Sequence, residues 1–129
     1  MPIGTVSCLE LPAGMIDNAG DGITGTAAKE MEEECGIKIR ASELVDLTQL
    51  AFEKVVAMGH IPCAGIAPSP GGCDEFLRYM YVERKVTRKN IEELQGRLSG
   101  LRHEGECITL RVVRLDEIWQ VSADNKAMR

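Results

Sequence analysis

The stretch Ala27 to Ile39, AAKEMEEECGIKI, places four glutamates in five positions and stops on Cys35-Gly36. On a helix, neighbours on one face lie three and four residues apart, so Glu30 stands beside Glu33 and Glu34 while Glu32 points elsewhere. At about 6 Å and an effective dielectric of about 20, each close pair repels by roughly 2–3 kcal/mol before screening, and by a few tenths when fully exposed. Glu33 and Glu34 also fall near the helix C-terminus, the end where negative charge is unfavourable. An isolated acidic run is most often a solvated face. Here it follows a glycine-rich loop that can bring backbone carbonyls close, and a glycine stop comes directly after it. A hard divalent cation turns such repulsion into coordination, because Mg²⁺ takes carboxylate oxygens and keeps waters for a phosphate substrate. The cluster reads as a metal cradle.

The rest of the composition narrows what such a cradle serves. A chain of 129 residues is expected to form a single domain, 1–129, with a packed core. Its 44% hydrophobic and 27% charged residues exclude a disordered segment. A net charge of −5 and a pI near 5.1 argue against a nucleic-acid partner, which basic patches hold. A polyanionic substrate therefore needs cations. The five cysteines, Cys8, Cys35, Cys63, Cys73 and Cys107, are odd in number and lack a CxxC pair, so they read as free thiols in a reducing compartment. The sequence shows neither a membrane span nor a signal peptide, and a cytoplasmic location is expected.

Periodicity and punctuation predict a strand over Val6 to Leu11 closed by Pro12, then a glycine-rich loop from Asp17 to Gly25. Thr24 or Thr26 is expected to cap a helix over Thr26 to Cys35, with Gly36 ending it. Strands are predicted at Leu44 to Leu50, Val55 to Met58, Ile61 to Ala67 and Phe76 to Val86, with the rigid loop PSPGGCDE before the last. A helix follows over Asn90 to Leu98 with Asn90 as cap, then a strand over Cys107 to Val113 and a helix over Leu115 to Val121. The order is α/β or α+β without a regular βαβ repeat.

The segment KEMEEECGI, Lys29 to Ile37, resembles the second half of the Nudix box, GX5EX7REUXEEXGU with U aliphatic. Glu30, Met31, Glu33, Glu34, Gly36 and Ile37 fall in place. Gly14 corresponds to the opening glycine at a spacing one residue longer, Asp21 stands where the pattern has an acid, and Lys29 replaces an arginine whose bidentate fork lysine lacks. LELPAGMID, PSPGGCDE and GLRHEGECI are similar to segments of the ADP-sugar pyrophosphatase branch of that family.

This resemblance implies a Nudix-fold α/β/α sandwich with a mixed β-sheet, shortened at its N-terminus, and a homodimer. It implies Mg²⁺-dependent hydrolysis, with Mn²⁺ as substitute, of ADP-ribose or ADP-glucose to AMP and a sugar phosphate. UDP-sugars or GDP-mannose are the alternative substrates, and a catalytically silent binding module is the alternative class. By the same likeness, the carbonyl of Ala13 with Glu30, Glu34 and Glu106 would hold metal. Glu33 would be a further ligand or base beside Glu34, and Glu104 would activate water. Pro70, Gly71, Gly72, Glu75 and Arg78 would line the nucleotide-sugar site, although Arg78 also suits a plain surface position. His103 reads as bystander surface, and Cys73 is not a nucleophile candidate. The chemistry suits these groups, since pyrophosphate hydrolysis needs oxygen charge neutralised and a water deprotonated in line.

Overall fold

The computed structural model describes residues 8–16, 22–61 and 64–127. Its elements in chain order are α1 (Gly22–Cys35), β1 (Val45–Asp46), α2 (Leu47–Ala57), β2 (Met80–Tyr81), α3 (Arg88–Leu94), β3 (Leu98–Ser99), β4 (Ile108–Thr109) and α4 (Ile118–Val121). Two compact units emerge: Met1–Met15, Lys29–Lys38 and Lys85–Arg129 form one, and Ile16–Ala28 with Ile39–Arg84 the other, in their described residues.

In the first unit, the end of α1 determines where its carboxylates stand. The last four carbonyls of any helix lack intrahelical partners, and the final turn of α1 holds no basic residue. Each carbonyl here finds a donor. The Gly36 N–H donates to Glu32 O at 2.8 Å and the Gly100 N–H to Glu33 O at 3.3 Å. The Ser99 hydroxyl donates to Glu34 O, and Arg97 Nη2 to Cys35 O. Gly36 has φ +59°, the left-handed geometry that closes helices at glycine.

The donors Arg97, Ser99 and Gly100 belong to one strand and its exit. β3 and β4 pair antiparallel with Leu98 opposite Thr109 and Ser99 opposite Ile108. Two 2.8 Å bonds extend the ladder at Leu110, whose O accepts from the Gly96 N–H and whose N–H donates to Arg97 O. The predicted helix over Asn90 to Leu98 is instead α3, ending at Leu94. Gly96, with φ +76°, turns the chain into β3. The cap is Thr87 rather than Asn90, whose side chain sits at the third helical position and accepts from the Thr87 N–H at 3.2 Å, a reciprocal capping box.

In the second unit β1 pairs antiparallel with β2, Val45 opposite Tyr81 and Asp46 opposite Met80, and Ile66 bridges to Leu77. The predicted strands at Leu44 to Leu50 and Val55 to Met58 are corrected here: from Leu47 the chain is the helix α2. Thr48 is buried and Phe52, Val55 and Val56 half-buried, the i, i+4, i+7, i+8 stripe of one helical face. β-branched content outweighed that period in the sequence reading. Asp46 caps α2, accepting from the Gln49 N–H at 2.7 Å, and Thr48 Oγ1 accepts from the Tyr79 N–H at 2.8 Å.

Other boundaries move as well. α1 begins at Gly22, so Thr24 and Thr26 lie inside it rather than capping it, and the Thr26 hydroxyl donates to Gly22 O one turn back at 3.2 Å. The predicted strands Phe76 to Val86 and Cys107 to Val113 shrink to β2 and β4, and the last helix to α4. Parts of Val6 to Leu11, Asp17 to Gly25 and Ile61 to Ala67, and Asp21 with them, lie outside the described residues. Among the described residues both sheets are two-stranded and antiparallel, so the α/β content is present and the expected mixed sheet is not. The expected packed core is correspondingly thin. Only Cys35, Ala64, Ala127, Thr48 and Ser122 are buried among the described residues, because two-residue strands offer no broad face for large apolar side chains.

Glu43 gives the second unit a pH signature. It accepts from the Arg40 N–H at 2.9 Å and from Arg84 Nη2 at 2.8 Å, and these bonds, the Arg40 amide first and the Arg84 guanidinium next, hold its carboxyl down at about 2 from an ordinary 4.5. A depressed carboxyl stabilises the folded state fully above its unfolded value, and that contribution fades as pH falls through the folded one. The melting-temperature gap between the parent chain and Glu43→Gln is therefore expected to stay constant from pH 7 to about 5 and to close between about 4.5 and 2. A gap that does not change with pH would show that the charge on Glu43 plays no part.

Candidate active site

The last two residues of α1 line a cleft of about 680 Å³ within the first unit, whose walls include Glu10, Ala13, Glu34, Cys35, Glu106 and Cys107. Glu34 is its electrostatic centre. Burial pushes its carboxyl above the ordinary value, the Ala13 N–H donating to Oε2 at 3.0 Å pulls it back, and the charges of Glu30, Glu106 and Glu10 raise it again. Three carboxylates thus act on the half-buried Glu34. Gly14 lets the backbone approach: a Cβ there would overlap the Glu30 carboxyl.

Glu106 enters from the loop after β3. Its Oε2 accepts from the Leu101 N–H at 2.8 Å, and Gly100, at φ +84°, passes so close that a Cβ would stand 3.0 Å from Glu106 Cγ. Glu104 takes a different course. It lies in a tight turn over Arg102–Glu104, 64% exposed and 3.4 Å from His103 Nε2, with Gly105 at φ +89° separating it from Glu106. The structure therefore brings Glu106 to the cleft lining and leaves Glu104 outside it. Glu33 pairs with Lys29 at 3.8 Å, and Glu32, on the opposite face, with Lys38 at 3.0 Å.

The remaining sequence-predicted residues belong to the second unit. Pro70, Gly71 and Gly72 form an exposed turn in which the N–H groups of Gly72 and Cys73 both donate to Ser69 O at 2.9 Å, and Glu75 is exposed. Arg78 is turned into its own unit: its guanidinium pairs with Asp46 and donates to Ala64 O at 3.2 Å and Gln49 Oε1 at 3.3 Å.

The donor chemistry suits a hard cation. All the titratable groups acting on Glu34 are carboxylates, and their mutual repulsion is what a divalent ion relieves. As the side chains stand, Glu34 and Glu106 each accept from a backbone N–H, and no three such groups among the described residues are gathered at ligating range. The Cys35 thiol is pushed up by burial and by Glu34, with Arg97 opposing, which leaves it protonated and unreactive.

Sequence reasoning missed Glu10, Arg97 and Ser99. Glu10, three residues before Ala13 in LELPAG, carried a readable signal as an acid beside the expected metal-binding carbonyl. A helix ending EEEC without a basic last turn signals that cations must arrive from elsewhere, but not from which residue.

No protein-family model matches the chain, and no solved structure does. Over 130 aligned positions, 99% of its length, it is 42% identical to the Arabidopsis thaliana protein named "Nudix hydrolase 14, chloroplastic". That likeness to a Nudix hydrolase agrees with the resemblance carried by Lys29 to Ile37. The chain spans 39% of that relative's length.

Proposed function

We propose that the chain carries a Mg²⁺-dependent hydrolase site for the pyrophosphate bond of a nucleoside diphosphate sugar, ADP-ribose or ADP-glucose, releasing AMP and a sugar phosphate. The observation that carries this reading is Glu34, set in a cleft with Glu10 and Glu106 and pushed up by burial and by its carboxylate neighbours. Ala13 through its carbonyl, Glu30, Glu34 and Glu106 would hold Mg²⁺, with Mn²⁺ as substitute. The ion would supply charge neutralisation at the diphosphate and an acidified water. Glu33 and Glu104 are the carboxylates left to accept a proton, and Glu104 stands on an exposed turn. Exposed Leu98, Val112 and Trp119 on the first unit support self-association as a homodimer.

A panel of nucleotide sugars with Mg²⁺, assayed by phosphate release after phosphatase coupling, tests the substrate. ADP-sugars are expected to lead by about tenfold or more, which corresponds to roughly 1.4 kcal/mol of discrimination. A lead for UDP-sugars or GDP-mannose overturns the adenine assignment. The engagement of Glu34 and Glu106 by backbone N–H groups favours the second reading, a silent nucleotide- or protein-binding module, and metal binding without turnover on any member of the panel would establish it.

A further inference from the structure

The segment Arg97 to Leu101 touches the candidate site from two sides. On one side Arg97 Nη2, the Ser99 hydroxyl and the Gly100 N–H donate to the carbonyls of Cys35, Glu34 and Glu33. On the other, the Leu101 N–H donates to the Glu106 carboxylate at 2.8 Å. One short stretch therefore sets the spacing between the helix carboxylates and the loop carboxylate.

Arg97 is its anchor. Its backbone is fixed in the ladder with Leu110, its N–H donates to Leu94 O at 3.2 Å, and its side chain is half-buried. Gly36 makes room for it, since a Cβ there would lie 2.7 Å from Arg97 Nη2. A guanidinium at a helix C-terminus satisfies an orphan carbonyl and opposes the negative end of the helix dipole.

We propose that Arg97, acting through the C-terminus of α1, is a positioning residue that holds Glu34 and Glu106 in register for the cation of the proposed hydrolase site, an inference that rests on that reading. Ser99 assists it. Arg97 touches neither cleft carboxylate in its bonding pattern, so its effect passes through the backbone.

Two amides report the register without any metal: Ala13 N–H, bonded to Glu34, and Leu101 N–H, bonded to Glu106. Hydrogen exchange on the metal-free chain is expected to quicken at both by about tenfold or more in Arg97→Met, while Leu47 and Tyr79 amides in the other unit keep their rates. Arg97→Lys, which retains the charge, should recover part of the protection. Unchanged exchange at Ala13 and Leu101 in folded Arg97→Met, or equal acceleration at all four amides, overturns the proposal. As a second arm, the Mg²⁺ concentration for half-maximal turnover should rise about 10–100-fold in Arg97→Met, the usual cost of losing a group that supports metal ligands, with substrate KM at saturating Mg²⁺ little changed. Local exchange effects in a chain without turnover would uphold the positioning role and refute the hydrolase reading. Turnover with an unaltered Mg²⁺ requirement would do the reverse.

Discussion

Glu34→Gln is expected to lower kcat/KM by about 10²–10³, the loss of several kcal/mol of metal-borne charge stabilisation at 1.36 kcal/mol per decade. The amide keeps the volume of the carboxyl and an oxygen that can accept from the Ala13 N–H, so the fold has no reason to collapse. Stability should in fact rise. Burial and three carboxylate neighbours make the ionised form of Glu34 costly in the folded chain, and its raised carboxyl means that this cost is fully present at neutral pH. It disappears as pH falls below the ordinary value near 4.5, where folded and unfolded states are both protonated. Without metal, Glu34→Gln should therefore melt higher than the parent chain at pH 7, and the difference should close in acid. Loss of activity with a gain in stability is the mark of a site built for binding rather than packing. A variant that keeps full turnover removes Glu34 from the chemistry, and one that melts lower removes the electrostatic argument.

Asp46→Ala is expected to cost about 2–4 kcal/mol, near 10 °C in melting temperature for a chain of this size. Asp46 does two things at once. It caps α2 by accepting from the Gln49 N–H, which is worth about 1 kcal/mol. It also neutralises Arg78, and the two side chains are only 18% and 17% exposed. Arg78 Nε is already buried without a hydrogen-bond partner, so removing the carboxylate leaves a half-buried guanidinium with neutral acceptors alone. Asp46→Asn keeps the cap and loses the charge, and should fall between parent and Asp46→Ala. Chemical denaturation measures both, and a loss below about 1 kcal/mol for Asp46→Ala would mean that the pair contributes nothing beyond the cap.

What was legible in the sequence follows the range of the interaction that decided it. The acidic helix and its glycine stop were readable because i, i+3 and i+4 geometry and a positive-φ terminus are local. That Glu32 faces away from Glu30 and Glu34 came from the same arithmetic. α2 was misread because Thr48, Phe52, Val55 and Val56, the residues of its buried stripe, themselves have high strand propensity. Asp46, the cap that would have revealed it, gave a weak signal alone. The division of labour between Glu104 and Glu106 was beyond reach, since Gly105 permits either to turn inward and only the Leu101 N–H, five residues before Glu106, decides. The clamp of Arg97, Ser99 and Gly100 on the end of α1 joins positions more than sixty residues apart in the chain, a pairing no local pattern encodes.

Calorimetric titration of Mg²⁺ into the purified chain and into Glu34→Gln tests the central claim most directly. The account predicts saturable binding by the parent chain, weakened at least about tenfold when one carboxylate of the cleft becomes an amide. Identical isotherms for the two proteins, or no uptake of the ion by either, would contradict it.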